Sequence, residues 1–247
     1  MDFNVRRTGR IQIPDRGRLV LSNQHLVDQD YTGLDLVQFS AQGTHLERCA
    51  FDGSVIHSGS FGSGRATSEY VNCSFNGTKI HMGPGGYARF VDCIFENVAI
   101  DNWICFAVEL VRYAFSGQLK KAVFNGAVPS EKREVAGRST NQFEGNDFSH
   151  AKLLDIAFRT GIDLSKQRLP GSPEYTYLAD SPSAVRRARI AFNALDDPED
   201  KNLVRGVLAS MERDVATGQS QLLVRVNDYP RASRPSIQWL LRAALDE

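Results

Sequence analysis

The chain has 247 residues, balances 29 Lys and Arg against 29 Asp and Glu, and carries four cysteines. A net charge of zero excludes a general attraction to nucleic acid or to a membrane surface. No apolar run approaches the roughly 20 residues of a membrane span and the N-terminus lacks a signal peptide's apolar core, so a cytoplasmic protein is expected.

Taken from the start, residues 10–14 and 18–21 alternate enough to form short strands around a turn at 15–17. Residues 1–29 are read as an N-terminal β cap, with Arg6, Arg7 and Arg10 as solvated tail positions. The coil proper is expected from Asp30, where Leu34 and Phe39 stand five residues apart.

From residue 46 the sequence repeats itself. Leu46, Cys49, Phe51, Gly53, Ser54 and Ile56 align with Tyr70, Cys73, Phe75, Gly77, Thr78 and Ile80, then with Phe90, Cys93, Phe95, Asn97, Val98 and Ile100. A worn fourth copy carries Leu110, Tyr113, Phe115 and Gly117. Copies start at 46, 70, 90 and 110, a period of 20 with one insertion of four. Within each copy a large apolar residue recurs every five positions, preceded two positions earlier by a small one. Period five fits neither a helix nor a flat strand. It fits a square coil in which each turn buries its apolar side by stacking on its neighbours. Large and small residues then point inward, Phe51, Phe75, Phe95 and Phe115 share one column, and Cys49, Cys73 and Cys93 share the next. Gly53, Gly77, Asn97 and Gly117 occupy one corner, where tight turns demand Gly or Asn.

These residues give the chain a resemblance to the pentapeptide-repeat proteins, whose usual motif is Ala-Asp/Asn-Leu-x-x. The likeness runs from about residue 30 to 169. The large and small positions match, whereas the family's Asp or Asn before the centre is mostly replaced, Asp147 being one survivor. The resemblance implies a mainly β fold, a right-handed quadrilateral β-helix of about six coils. It also implies a binding protein. The best understood members bind DNA gyrase or topoisomerase IV, resemble a DNA duplex in width and charge, and protect the enzyme from quinolones or peptide toxins in bacteria.

Two stretches break the beat. Residues 62–69 form an outward loop with Arg65 and Glu69. Residues 129–141 form a larger one with Lys132, Arg133, Glu134 and Arg138, expected to be removable at little cost in stability because shortening a loop carries little entropic penalty. These six residues are the candidate partner contacts, since long loops in compact repeats are usually functional or disordered. The beat returns at Phe143, Phe148, Leu153 and Phe158, and residues 170–173 read as a linker. Residues 174–247 change to a mostly helical region. Ser181 and Pro182 start one helix, Asp197 and Pro198 a second ending at Gly218, and residues 236–245 form the last, with a short strand at 221–226. This region either caps the last coil or makes a homodimer.

Catalytic chemistry is thin, and no enzyme is expected. No catalytic, cofactor-binding or metal-binding residue is assigned. His57, His81 and Asp101 should share one outer column, either as a divalent-metal site or simply as polar outer positions. Gly83 to Gly86 read as a coil side lacking bulk rather than a phosphate cradle. Residues 46–128 hold seven acidic and seven basic side chains, so DNA mimicry requires charge to be segregated by face. Direct nucleic-acid binding is not expected. A gyrase- or topoisomerase-binding role and a structural role in another assembly, docked through the C-terminal helices, both remain open.

Overall fold

The computed structural model describes residues 17–83 and 85–245. The five-residue beat becomes a mainly β, parallel solenoid of about five turns, followed by a helical C-terminal region. One wall is a six-stranded sheet with rungs centred on Leu26, Leu46, Tyr70, Phe90, Leu110 and Phe143. Six stacked rungs span five turn-to-turn steps, which accounts for the difference from the six coils expected.

Continuing round a turn from this first wall, wall two is centred on Tyr31, Phe51, Phe75 and Phe95. Its rungs are joined by the bridges Asp30–Ala50, Ala50–Ser74 and Ser74–Ile94. Wall three follows through Leu36, Ile56, Ile80, Ile100, Leu119 and Leu153, paired in the expected register. Wall four pairs Cys105 with Phe124 and Phe124 with Phe158. The corner residues Gly53, Gly77, Asn97 and Gly117 all have positive φ, between 54° and 95°.

The coil is under way before Asp30. Strand Arg18–Ser22 pairs in parallel with Gln38–Gln42, and His25–Val27 with His45–Glu47, each twenty residues ahead. The strand expected at 10–14 and the arginines Arg6, Arg7 and Arg10 lie outside the described residues.

The core follows the aromatic column. Phe51 and Phe75 stack at 4.9 Å and Phe75 and Phe95 at 4.3 Å, with Tyr31 continuing the stack beyond Phe51 at 4.8 Å. The column is disturbed at its fourth member. Phe95 and Phe115 pair along the backbone, but Tyr113, large where earlier turns carry cysteine, puts its own ring 4.8 Å from Phe95.

The thiols form the expected buried ladder. Each donates to the wall-one carbonyl of the preceding turn, Cys49 to Leu26, Cys73 to Leu46 and Cys93 to Tyr70, at 3.3–3.6 Å. All four cysteines are free and buried. A side-chain hydrogen bond with Cys73, together with burial, pushes the Cys49 thiol far up, and burial does the same to Cys73 and Cys105. The neutral form of these thiols is therefore favoured over the nucleophilic thiolate.

The C-terminal region has its own core, built from helices Ser181–Ala194, Pro198–Ala216 and Arg234–Leu245. Asp180, not Ser181, caps the first helix, because the Ser181 hydroxyl donates to the Gln219 carbonyl instead. Asp197 caps the second as expected. A strand at Tyr175–Leu178 pairs antiparallel with Leu222–Arg225. The region covers the last turn. The Gln219 amide side chain bonds the backbone of Gly161 and Ile162, Tyr175 bonds Leu153, and Arg159 meets Asp214 at 3.0 Å. These bonds satisfy part of an otherwise open β edge, the physical task of a cap.

Candidate functional site

Because the inner positions are filled by the core, functional chemistry is confined to the outward positions of each wall. On wall one the residue before each centre is His25, His45, Glu69, Arg89, Glu109 and Gln142. They form a chain of contacts up the solenoid. His45 Nδ1 lies 3.2 Å from Glu69, Arg89 bridges Glu69 at 3.6 Å and Glu109 at 3.3 Å, and Arg138 meets Glu109 at 3.3 Å.

The structure separates the six candidate contacts. Glu69 belongs to strand Ser68–Val71 and to this ladder, not to a loop. The Arg138 side chain is only 18% exposed, and its guanidinium donates to the carbonyls of Ala107 and Ala136. Burial pushes its pKa down while Glu109 opposes the shift. Lys132 lies over the Tyr87 ring at 5.6 Å, and Arg133 donates to the Val128 carbonyl. Arg133 itself, Glu134 and Arg65 are exposed.

Residues 129–141 are thus a folded element. Pro129 leads into turns Ser130–Lys132 and Arg133–Ala136, ended by Gly137 at φ 68°. Val135 and Ala136 pack on Tyr87, Ala107 and Val128. Removing the element would uncover this cluster and strip Glu109 of Arg138, so it is not the dispensable loop its composition suggests. Residues 62–67 are the outward excursion left between walls four and one.

On wall three, His57 pairs with Asp35 at 2.7 Å and His81 with Asp101 at 3.5 Å. The column is therefore real but divides into two imidazole–carboxylate pairs. Among the described residues, the three-donor group with metal-ligand spacing is His25, His45 and Glu47, on wall one. Gly85 and Gly86 fill a position in wall four where side chains have no room: a Cβ at Gly86 would overlap the Gly62 carbonyl, and one at Gly85 that of Ile104. They are a coil side lacking bulk, and the physical reason is a close approach of backbones.

Charge is segregated by wall. The outward positions of wall two carry Asp30, Asp52, Glu96 and Asp147, with Arg168 bridged to Asp147 at 3.1 Å on the following rung, whereas wall three carries Lys79, Lys120 and Lys152 beside Asp35 and Asp101. Wall two also holds a groove of about 440 Å³, floored by Ala50, Ser74 and Ile94 and rimmed by Asp52 and by the corner residues Asp28 and Asp92. Arg48 enters the rim but is clamped by Asp28 at 2.7 and 3.1 Å, and its hydrogen bond holds the Asp28 carboxyl below its usual range. The signal for this surface lay in the sequence, one residue either side of the wall-two centres, but it is visible only once the phase of each turn is known.

A second cavity of about 320 Å³ lies between the solenoid and its helical cap, lined in part by Lys121, Asp155, Arg159, Asp214 and Tyr229. Burial raises the Asp214 carboxyl and the Arg159 charge opposes it. Among the described residues no helix is long and apolar enough to cross a membrane. No protein-family model and no curated protein matches the sequence.

Proposed function

We propose that the chain is a non-enzymatic protein-binding solenoid that engages its partner through wall two. The observation that carries this reading is the open groove on wall two, where the outward positions flanking Tyr31, Phe51, Phe75 and Phe95 bear carboxylates and no basic side chain, bordered by the Asp28–Arg48 and Asp92–Arg112 pairs. A rigid surface of one sign attracts and orients a partner of the other sign. The partner chemistry it fits is a basic protein surface. Within the pentapeptide-repeat resemblance, a basic surface that normally holds DNA is found on DNA gyrase and topoisomerase IV, which are the first partners to test.

The test is supercoiling by purified gyrase with the full-length protein in large excess. Inhibition is expected, weakening as salt screens the charges. The paired substitutions Ala50→Lys and Glu96→Lys cut the negative charge of wall two in and beside the groove without removing a hydrogen-bonding side chain of its rim, and should strongly weaken inhibition with the melting temperature kept. Supercoiling indifferent to the wild-type chain removes the topoisomerase reading. Inhibition untouched by the paired substitutions removes wall two.

A second reading, a structural partner docked through the C-terminal helices, is favoured by apolar side chains left uncovered there: Ile190 is 70% and Trp239 42% exposed. A pull-down with the purified doubly substituted variant separates the two, since docking by the helices is indifferent to wall two.

A further inference from the structure

We infer that wall one carries a divalent transition-metal site formed by His25, His45 and Glu47. The parallel ladder builds it. His25 and His45 are Cα partners on adjacent turns, and Glu47 follows His45 by two residues, so all three side chains leave the same outer face. One donor atom from each lies within 4.8 Å of the other two. Donors at about 2.1 Å from a tetrahedral zinc ion stand roughly 3.4 Å apart. The set therefore closes on an ion by side-chain rotation, with the backbone rungs left in place.

Three further observations point the same way. The two imidazoles meet edge to face at 4.8 Å, 86° between planes, rather than stacking flat. Among the described residues the His25 imidazole makes no hydrogen bond or ion pair. His45 presents Nδ1 to Glu69 at 3.2 Å. A carboxylate accepting from one ring nitrogen fixes the tautomer and turns the other nitrogen's lone pair outward, the usual outer-shell arrangement of a metal-bound histidine. Glu69 is thus the positioning residue and Nε2 of His45 the ligand.

The neighbouring cation does not close the site. Arg48 contacts Oε1 of Glu47, leaving Oε2, and its charge is answered by the Asp28 carboxylate. Two imidazoles and one carboxylate suit zinc, cobalt, nickel or copper better than calcium or magnesium. Three protein donors leave a fourth position to water or to a donor from another molecule.

The experiment is calorimetric titration of tag-free, chelator-stripped full-length protein with Zn²⁺, with Co²⁺ as the spectroscopic probe. One Zn²⁺ per chain is expected, and a Co²⁺ spectrum without thiolate charge transfer. His25→Ala and Glu47→Gln should each weaken binding by more than about tenfold, and Glu69→Gln by about tenfold with stoichiometry kept. His57→Ala should change nothing, and all four variants should melt like the wild type in the absence of metal. The assignment is overturned by an absence of Zn²⁺ binding or by a thiolate band. It is equally overturned if binding survives in both His25→Ala and Glu47→Gln, or is lost in His57→Ala.

Discussion

Phe75→Ala is expected to lower the unfolding free energy by about 3–5 kcal/mol, the range for a fully buried aromatic truncation. Phe75 is completely buried, with Phe51 and Phe95 stacked on its two faces at interplanar angles of 4° and 12° and Phe61 and Phe90 against its edges. The spacing of those neighbours is set by backbone hydrogen bonds between turns at roughly 4.8 Å, so the void cannot close by collapse. Stacked aromatic contacts add about 0.5–1.5 kcal/mol per pair beyond the area buried. Urea unfolding of Phe75→Ala beside the exposed-site control Val20→Ala measures this. The control should stay within about 0.5 kcal/mol of wild type. A loss below 1 kcal/mol for Phe75→Ala contradicts the continuous column.

Gly86→Ala is expected to cost at least about 3 kcal/mol, the upper end of overpacking, or to prevent folding. The Gly62 carbonyl stands where the new methyl group would lie, and it accepts from the Tyr87 amide at 2.7 Å. Relief requires the two rungs to part, which breaks that bond. Gly53→Ala provides the contrast. It has nothing within 4 Å of the added carbon but a φ of 66°, so only the left-handed backbone is strained, at about 1–2 kcal/mol. Thermal melts of the two variants should rank in that order. An unperturbed Gly86→Ala means that wall four is not closed by backbone contact.

These two residues also show which parts of the structure the sequence could disclose. The Phe75 column was legible because large and small residues recur at a fixed interval, and nothing else satisfies period five. Gly86 was legible as missing bulk within that beat. Tyr113 was not, because a large residue at a small position says only that something must yield, and Phe115 yields by shifting its ring. The packing of residues 129–141 was hidden because Val135 and Ala136 are two apolar residues among charges, too few for a periodic pattern. His25 falls in a stretch that reads as a separate cap ahead of the repeats, so the sequence alone does not align it with His45, whereas His57, His81 and Asp101 lie inside the repeated copies. Short tertiary contacts, such as strand Tyr175–Leu178 pairing with Leu222–Arg225, depend on partners some fifty residues away and leave no local trace.

The parallel coil and the phase of wall two underlie both the groove and the metal site, and oxidative cross-linking tests them most directly. Ala50 and Ser74 are bridge partners on adjacent turns of wall two, whereas Ala99 pairs with Lys79 on wall three. Neighbouring parallel rungs lie roughly 4.8 Å apart, inside the Cα range that a disulfide spans. The native thiols are buried and add no background. The double variant Ala50→Cys and Ser74→Cys should cross-link within the native chain under mild oxidation, and Ala50→Cys with Ala99→Cys should not. A free 50/74 pair in the folded protein, or equal cross-linking of 50 with 99, contradicts the twenty-residue coil and everything placed on its walls.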